Sequence, residues 1–189
     1  TCTDAVAPNT GYTCVCGPGF ATGMGYRQYQ FNLDPMDDHT GLRSWTSCVQ
    51  VAEVALYDSD GTYLPGAVVS NPGGNSPLGE QVQSVYNQVN VESCSDGVCE
   101  EFAGAEPKWL DFNKQDLVFT FESAVTVSLY NWMTANDAPD RDPVKWTLEA
   151  RAEEGAAWVV VDDTFATEAF DAPQTRHQWV GPFGISISP

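Results

Sequence analysis

The chain has 189 residues and a mass of 20.5 kDa, room for one ordinary domain or one domain with a small satellite. Hydrophobic residues make up 42%, enough for a packed core, while 26 Asp+Glu against 8 Lys+Arg leave a formal net charge of −18. A surface of that sign repels phosphate backbones and anionic lipid, so nucleic-acid and membrane-surface binding are excluded as first readings. The same field favours cations, chiefly Ca²⁺, and keeps a secreted chain dispersed.

No apolar run approaches the roughly 20 residues of a spanning helix. The chain starts at Thr1 with no basic-then-apolar leader and reads as a mature or excised segment. Its cysteines stand at 2, 14, 16, 48, 94 and 99. Cys14-Val15-Cys16 is too tight for a zinc knuckle, and neither His39 nor His177 flanks a cysteine, so disulfides in an oxidising compartment are expected. Cys94-Ser-Asp-Gly-Val-Cys99 is the easiest pair to assign. Asp96-Gly97 supplies the turn, and closing so short a loop stabilises by about 2 kcal/mol. Connectivity among Cys2, Cys14, Cys16 and Cys48 stays open, with Cys2–Cys14 and Cys16–Cys48 as first choice.

Residues 1–25 hold half the cysteines and no periodic apolar pattern. Gly11-Tyr-Thr-Cys14-Val-Cys16-Gly-Pro-Gly-Phe20 resembles the second half of an epidermal-growth-factor-like module, in which Cys2 would be the third cysteine. The first two cysteines of such a module are missing and no sixth follows Phe20 at the usual distance. The family's pairing is therefore not carried over, and the stretch reads as a partial module or linker.

From Tyr26 the chain reads strand after strand. Tyr26–Asn32 alternates, and Cys48–Tyr57 is a long strand closed by Asp58-Ser-Asp-Gly61, whose Asp-Gly is a hairpin signal. Ala67–Ser70 follows, then the loop Asn71–Pro77. Further strands are predicted at Trp109–Phe112, Leu117–Phe121, Val125–Met133 and Val144–Ala150, then Trp158–Val161, His177–Val180 and Phe183–Ser186. Only Gly79–Asn90 and Asp163–Phe170 invite a helical reading. Short strands separated by turn signals predict an all-β chain, an antiparallel β-sandwich of jelly-roll type over 26–189, with the small disulfide-containing segment ahead of it. Tryptophans are expected in the core and at its rim.

Several stretches together resemble the galactose-binding-like jelly rolls, the discoidin or coagulation-factor-5/8 type C relatives. They are Tyr26-Arg-x-Tyr-x-Phe, Val49–Gly61, Asn71-Pro-Gly-Gly, Lys108-Trp-Leu-Asp-Phe-Asn113, Thr134–Pro143 and Val144-Lys-Trp-Thr-Leu-Glu149. The resemblance implies an eight-stranded jelly roll of secreted or cell-surface proteins, binding sugars or other surface ligands through loops at one end, often with Ca²⁺. Strands that usually end such a domain come first here, and Arg176-His-Gln-Trp179 faintly echoes Arg27-Gln-Tyr-Gln30, so the chain reads as cut from a longer repeating protein. The family's calcium ligands match Glu53 and Asp96. Pro107 stands where the family has a threonine two residues before Trp109, and the Cys94–Cys99 segment is extra, so a disulfide can have replaced the metal as the loop's staple.

No catalytic constellation emerges: there is no Gly-x-Ser-x-Gly elbow, His-Glu-x-x-His, Walker or Rossmann pattern. Asp137, Asp140 and Asp142, beside Arg141 in one Pro-containing loop, read as turn caps and ion-pair partners rather than a glycosidase pair. Sugars need a stacking face and donors for hydroxyl pairs. Leu33–Ser47 offers His39, Arg43 and Trp45, and Thr134–Pro143 offers Asn136 and Arg141. The expectation is an extracellular, non-enzymatic adhesion module for glycan. Its alternative is a structural repeat of an extracellular assembly, with the jelly roll making protein–protein contacts.

Overall fold

The computed structural model describes residues 3–5, 13–15, 25–33, 47–87, 94–95, 98–99 and 108–185. Near the start, β1 (Thr3–Ala5) and β2 (Thr13–Val15) form an antiparallel ladder with Asp4 opposite Cys14. Then come β3 (Tyr26–Asn32), β4 (Val49–Val51), β5 (Glu53–Tyr57) and β6 (Val68–Ser70), and the short pair β7 (Cys94–Ser95) and β8 (Val98–Cys99). The rest are β9 (Trp109–Asp111), β10 (Leu117–Val125), β11 (Leu129–Met133), β12 (Thr147–Arg151), β13 (Val159–Asp162) and β14 (Trp179–Gly184).

A five-stranded antiparallel sheet runs β13-β12-β3-β10-β6. Facing it are β14-β11-β5 and the pair β4-β9. Ala52 separates β4 from β5 and donates its N–H to Met133 O at 3.0 Å, so one line of chain serves β9 first and β11 next. Taking β4 and β5 as one line of chain and leaving aside the separate β7–β8 pair, the chain alternates between the two layers from β3 to β12, as a jelly roll requires. The chain is an all-β antiparallel sandwich, as its patterning predicts.

Alternation explains the layers. In β3, Tyr29 and Phe31 enter the core while Gln28, Gln30 and Asn32 take the outer face. The core joins these to Phe119, Trp109, Trp132 and Trp146, with Trp146 in tilted contact with Phe165 and edge-on contact with Phe170 and Phe183. Trp146 Nε1 donates to Tyr130 Oη at 2.7 Å, and Tyr130 in turn donates to Asp162 Oδ2. A Cβ at Gly25 would lie 2.9 Å from the Val125 backbone, so the lack of a side chain lets the start of β3 meet the end of β10.

Some boundaries differ from the sequence reading. β10 continues past Phe121 to Val125, and the next strand begins at Leu129 rather than Val125. The cause is non-local: Tyr29 Oη donates to Val125 O at 2.7 Å and accepts the Val127 N–H at 3.1 Å, which turns the chain there. β12 begins at Thr147, and the last two predicted strands are one, β14, with a register shift opposite Tyr130–Trp132. Of the predicted helical stretch 79–90, the described part up to Asn87 holds a 3₁₀ turn, Val82–Tyr86, while 88–90 lie outside the described residues, and 163–170 forms turns. Among the described residues no helix is long and apolar enough to cross a membrane.

Candidate functional site

Register places many strand ends together. β3 ends, β4 begins, β9 ends, β10 begins, β11 ends and β12 begins at one end of the sandwich, and β6, β13 and β14 agree with them. The connections 71–81, 112–116, 134–146 and 163–178 therefore gather there, as do Leu33 and Ser47. His39, Arg43 and Trp45 lie in 34–46, outside the described residues. The two ends of that segment nevertheless emerge at the same end of the fold as Asn136 and Arg141.

The 134–143 loop is clamped by a buried amine. Lys108 precedes β9 and is 3% exposed. Its Nζ donates to Gln50 Oε1 at 3.0 Å and Asp137 Oδ1 at 2.7 Å, with Glu80 Oε1 at 3.5 Å. Gln50, also buried, donates through Nε2 to the carbonyls of Asp137 and Ala138 at 2.6 and 3.2 Å. Ala138 has φ +39°, in the left-handed region, and this grip holds it there ahead of the 3₁₀ turn Pro139–Arg141. Arg141 Nη1 lies 3.7 Å from Asp137 Oδ2, so the ion pair expected from the sequence forms. Asn136 is exposed.

Electrostatics follow from these contacts. Partial burial acts to raise the Asp137 carboxyl, but the hydrogen bond and charge of Lys108, with Gln50 and Arg141, hold it below the usual carboxylate range. On the far side of the loop, Arg176 makes a two-pronged contact with the buried Asp142 and also donates to Asp137 O and Pro173 O. Thr134 ties in the last connection: its carbonyl accepts the His177 N–H at 3.1 Å and its hydroxyl the Gln178 N–H at 2.9 Å.

Sequence reasoning missed a second centre. The buried Asp111 carboxylate accepts the backbone N–H groups of Asn75, Asn113 and Gln115, tying loop 71–75 to loop 112–116. Phe112, next to it, is 48% exposed, and Leu78 is wholly exposed. Asn113 Nδ2 donates to Gly73 O, and Gln115 Nε2 to Asn113 O. The signal was present in Trp109-Leu-Asp-Phe: strand alternation sends Phe112 to the face opposite Asp111.

Of the calcium candidates, Glu53 is buried in β5 and its Oε1 accepts the Asn87 N–H at 3.0 Å. A backbone amide thus supplies one of the partners a buried carboxylate needs. Asp96 lies outside the described residues, and among those described no three His, Cys, Asp or Glu side chains group as a metal site. β7 and β8 place Cys94 directly opposite Cys99 in their ladder. Cys48 is buried, while Cys2 and Cys16 lie outside the described residues.

No protein-family model matches the chain, and no solved structure matches it. Over 84 residues, 44% of the chain, it is 30% identical to a peptide-N(4)-(N-acetyl-beta-glucosaminyl)asparagine amidase of Arabidopsis thaliana. The matched part is 11% of that protein's length. A similar stretch is thus part of a protein named as an enzyme, which leans mildly against the expectation of a non-enzymatic chain.

Proposed function

We propose that the chain is a secreted, non-catalytic binding module that recognises glycan through the loops at one end of the sandwich, in the manner of the galactose-binding-like domains it resembles. The observation that carries the reading is the convergence there of Leu33 and Ser47, which bound the segment carrying His39, Arg43 and Trp45, with the clamped Asn136–Arg141 loop. Half-exposed Phe112 adds an apolar surface at that end, and sugar sites combine such a surface with a few fixed polar groups. The similarity to the plant amidase is a second support, since that protein is named for an N-acetylglucosaminyl–asparagine linkage. The buried charges at this end serve structure: Asp111 holds backbone amides and Asp142 holds Arg176. Secretion is supported by the six cysteines and by Cys94 standing opposite Cys99.

A glycan array that includes N-acetylglucosaminyl-asparagine glycopeptides tests the proposal. The expected result is selective retention that Trp45→Ala and Phe112→Ala abolish and that Asp60→Ala, exposed in the turn after β5 at the opposite end of the sandwich, does not. Uniform silence, combined with concentration-dependent self-association in sedimentation, overturns it in favour of a structural repeat.

A further inference from the structure

The outer face of the five-stranded sheet carries an ordered polar surface that the loop-end reading does not use. Register lines up Arg151, Gln28, Thr120 and Val68 in one row across four strands. Trp158, one residue ahead of β13, extends it, because the Arg151 guanidinium stacks on that indole at 4.2 Å. The next row runs Val160, Glu149, Gln30, Val118 and Ser70. With strands about 4.8 Å apart, five of them span about 19 Å, and the two rows are about 7 Å apart.

The polar groups are fixed. Arg151 Nε donates to Gln28 Oε1 at 2.6 Å, and Gln28 Nε2 donates to Thr120 Oγ1 at 2.9 Å. Glu149 Oε1 accepts Asn32 Nδ2 at 2.9 Å and the Thr147 hydroxyl at 3.2 Å. Gln30 Nε2 donates to Asp116 Oδ2 at 2.6 Å. Each anchor uses one side of its group. The Arg151 Nη donors, Glu149 Oε2 and Gln30 Oε1 make no hydrogen bond among the described residues. Donors and acceptors therefore stand side by side, already ordered, beside an indole and between exposed Val160 and Val68. Binding there would order few side chains, which is the main cost a polar ligand imposes.

We infer that this face is a second binding surface, for a neutral oligosaccharide chain lying across Trp158, Arg151, Glu149 and Gln30, with the buried Gln28 holding Arg151 in place beneath it. The apolar C–H face of a sugar ring suits the indole face, and hydroxyl pairs suit Arg151 as donor with Glu149 and Gln30 as acceptors. Charge selects the neutral ligand: a chain of net charge −18, with Glu149 two residues from Arg151, repels a polyanion. An added peptide strand would take a sheet edge rather than the middle of a face. The inference does not depend on glycan binding at the loop end.

The test is an amide NMR titration of the full chain with cellohexaose and with chitohexaose, and with oligogalacturonate as the anionic comparison. Saturable shifts centred on residues 28–32, 147–151 and 158–160 are expected with a neutral probe. Trp158→Ala and Arg151→Gln should each weaken binding about tenfold, while Trp158→Phe, which keeps a ring, should stay close to the parent. Melting curves of the three variants check that the sheet is intact. Shifts confined to 112–116 and 134–142 would place binding at the loop end alone and overturn the inference. So would no shift with either neutral probe, preference for oligogalacturonate, or undiminished binding by folded Trp158→Ala.

Discussion

Arg176 meets Asp142 edge to edge, Nη1 to Oδ1 at 3.0 Å and Nη2 to Oδ2 at 2.7 Å, with the carboxylate wholly buried. The pair joins residues 34 positions apart and locks the 171–178 connection onto the 134–143 loop. Removing one member of a buried pair leaves the other charge uncompensated, at a cost of about 3–5 kcal/mol. Arg176→Met should therefore lower the urea midpoint sharply. The double variant Arg176→Met/Asp142→Asn should recover part of the loss. Arg176→Lys keeps the charge but not the fork and should fall between parent and Met variant. Equal midpoints for parent and Arg176→Met would refute this account.

Asp111 does for the loops beside β9 what Arg176 does for the last connection. Its two oxygens accept backbone N–H groups from Asn75, Asn113 and Gln115, and the carboxylate is buried. Asp111→Asn turns one oxygen into an NH₂ that faces donors, leaving buried amides unmatched at about 1–3 kcal/mol. Amide exchange should then speed up at Asn75, Asn113 and Gln115 before it does in β3 or β10. A variant whose exchange rates rise uniformly would mean that Asp111 supports the whole core rather than these loops.

What the sequence made legible was mostly local. The alternation Gln28, Tyr29, Gln30, Phe31 marks β3 and its two faces. Asp58-Ser-Asp-Gly61 marks a turn, which forms with Asp58 Oδ1 accepting the Asp60 and Thr62 N–H groups and Gly61 at φ +77°. What stayed hidden depends on distant partners. Val125–Ser128 has the pattern of a strand but turns around the hydroxyl of Tyr29. Lys108 in sequence is an ordinary lysine beside a strand; its burial needs Gln50, 58 positions away, and Asp137, 29 away. Asn136 and Arg141 were legible as a polar loop, whereas the grip that shapes that loop was not.

The β7–β8 ladder sets Cys94 opposite Cys99. Directly opposed antiparallel residues have Cα atoms about 4.5–5.5 Å apart, inside the range a disulfide spans. Peptide mapping without reductant should recover residues 94 and 99 in one linked fragment. The Cys94→Ser/Cys99→Ser variant should lose about 2 kcal/mol, the modest effect of a short closed loop. Alkylation of both thiols in natively produced protein would sink the pairing and the secreted reading together.

Acid should loosen the loop that Lys108 clamps, and the sign is set by Asp137. Its carboxyl lies below the ordinary range because the Lys108 amine, assisted by Gln50 and Arg141, outweighs the raising effect of partial burial. A carboxyl with a folded-state pKa below its unfolded value of about 3.9 contributes stability above that value and loses it as pH falls through the folded one. The side chain is 52% exposed, so solvent screening keeps the contribution small. The buried partner changes the balance: protonating Asp137 leaves the Lys108 amine, 4% exposed, without its nearest counter-charge. The stability gap between parent and Asp137→Asn should be flat from neutral pH to about pH 5 and close below about pH 4. Lys108→Met should abolish that pH dependence, since no amine remains to favour the charged carboxylate. Urea midpoints measured across this range decide the matter, and a gap that widens on acidification would show that Lys108 is not the group holding Asp137 ionised.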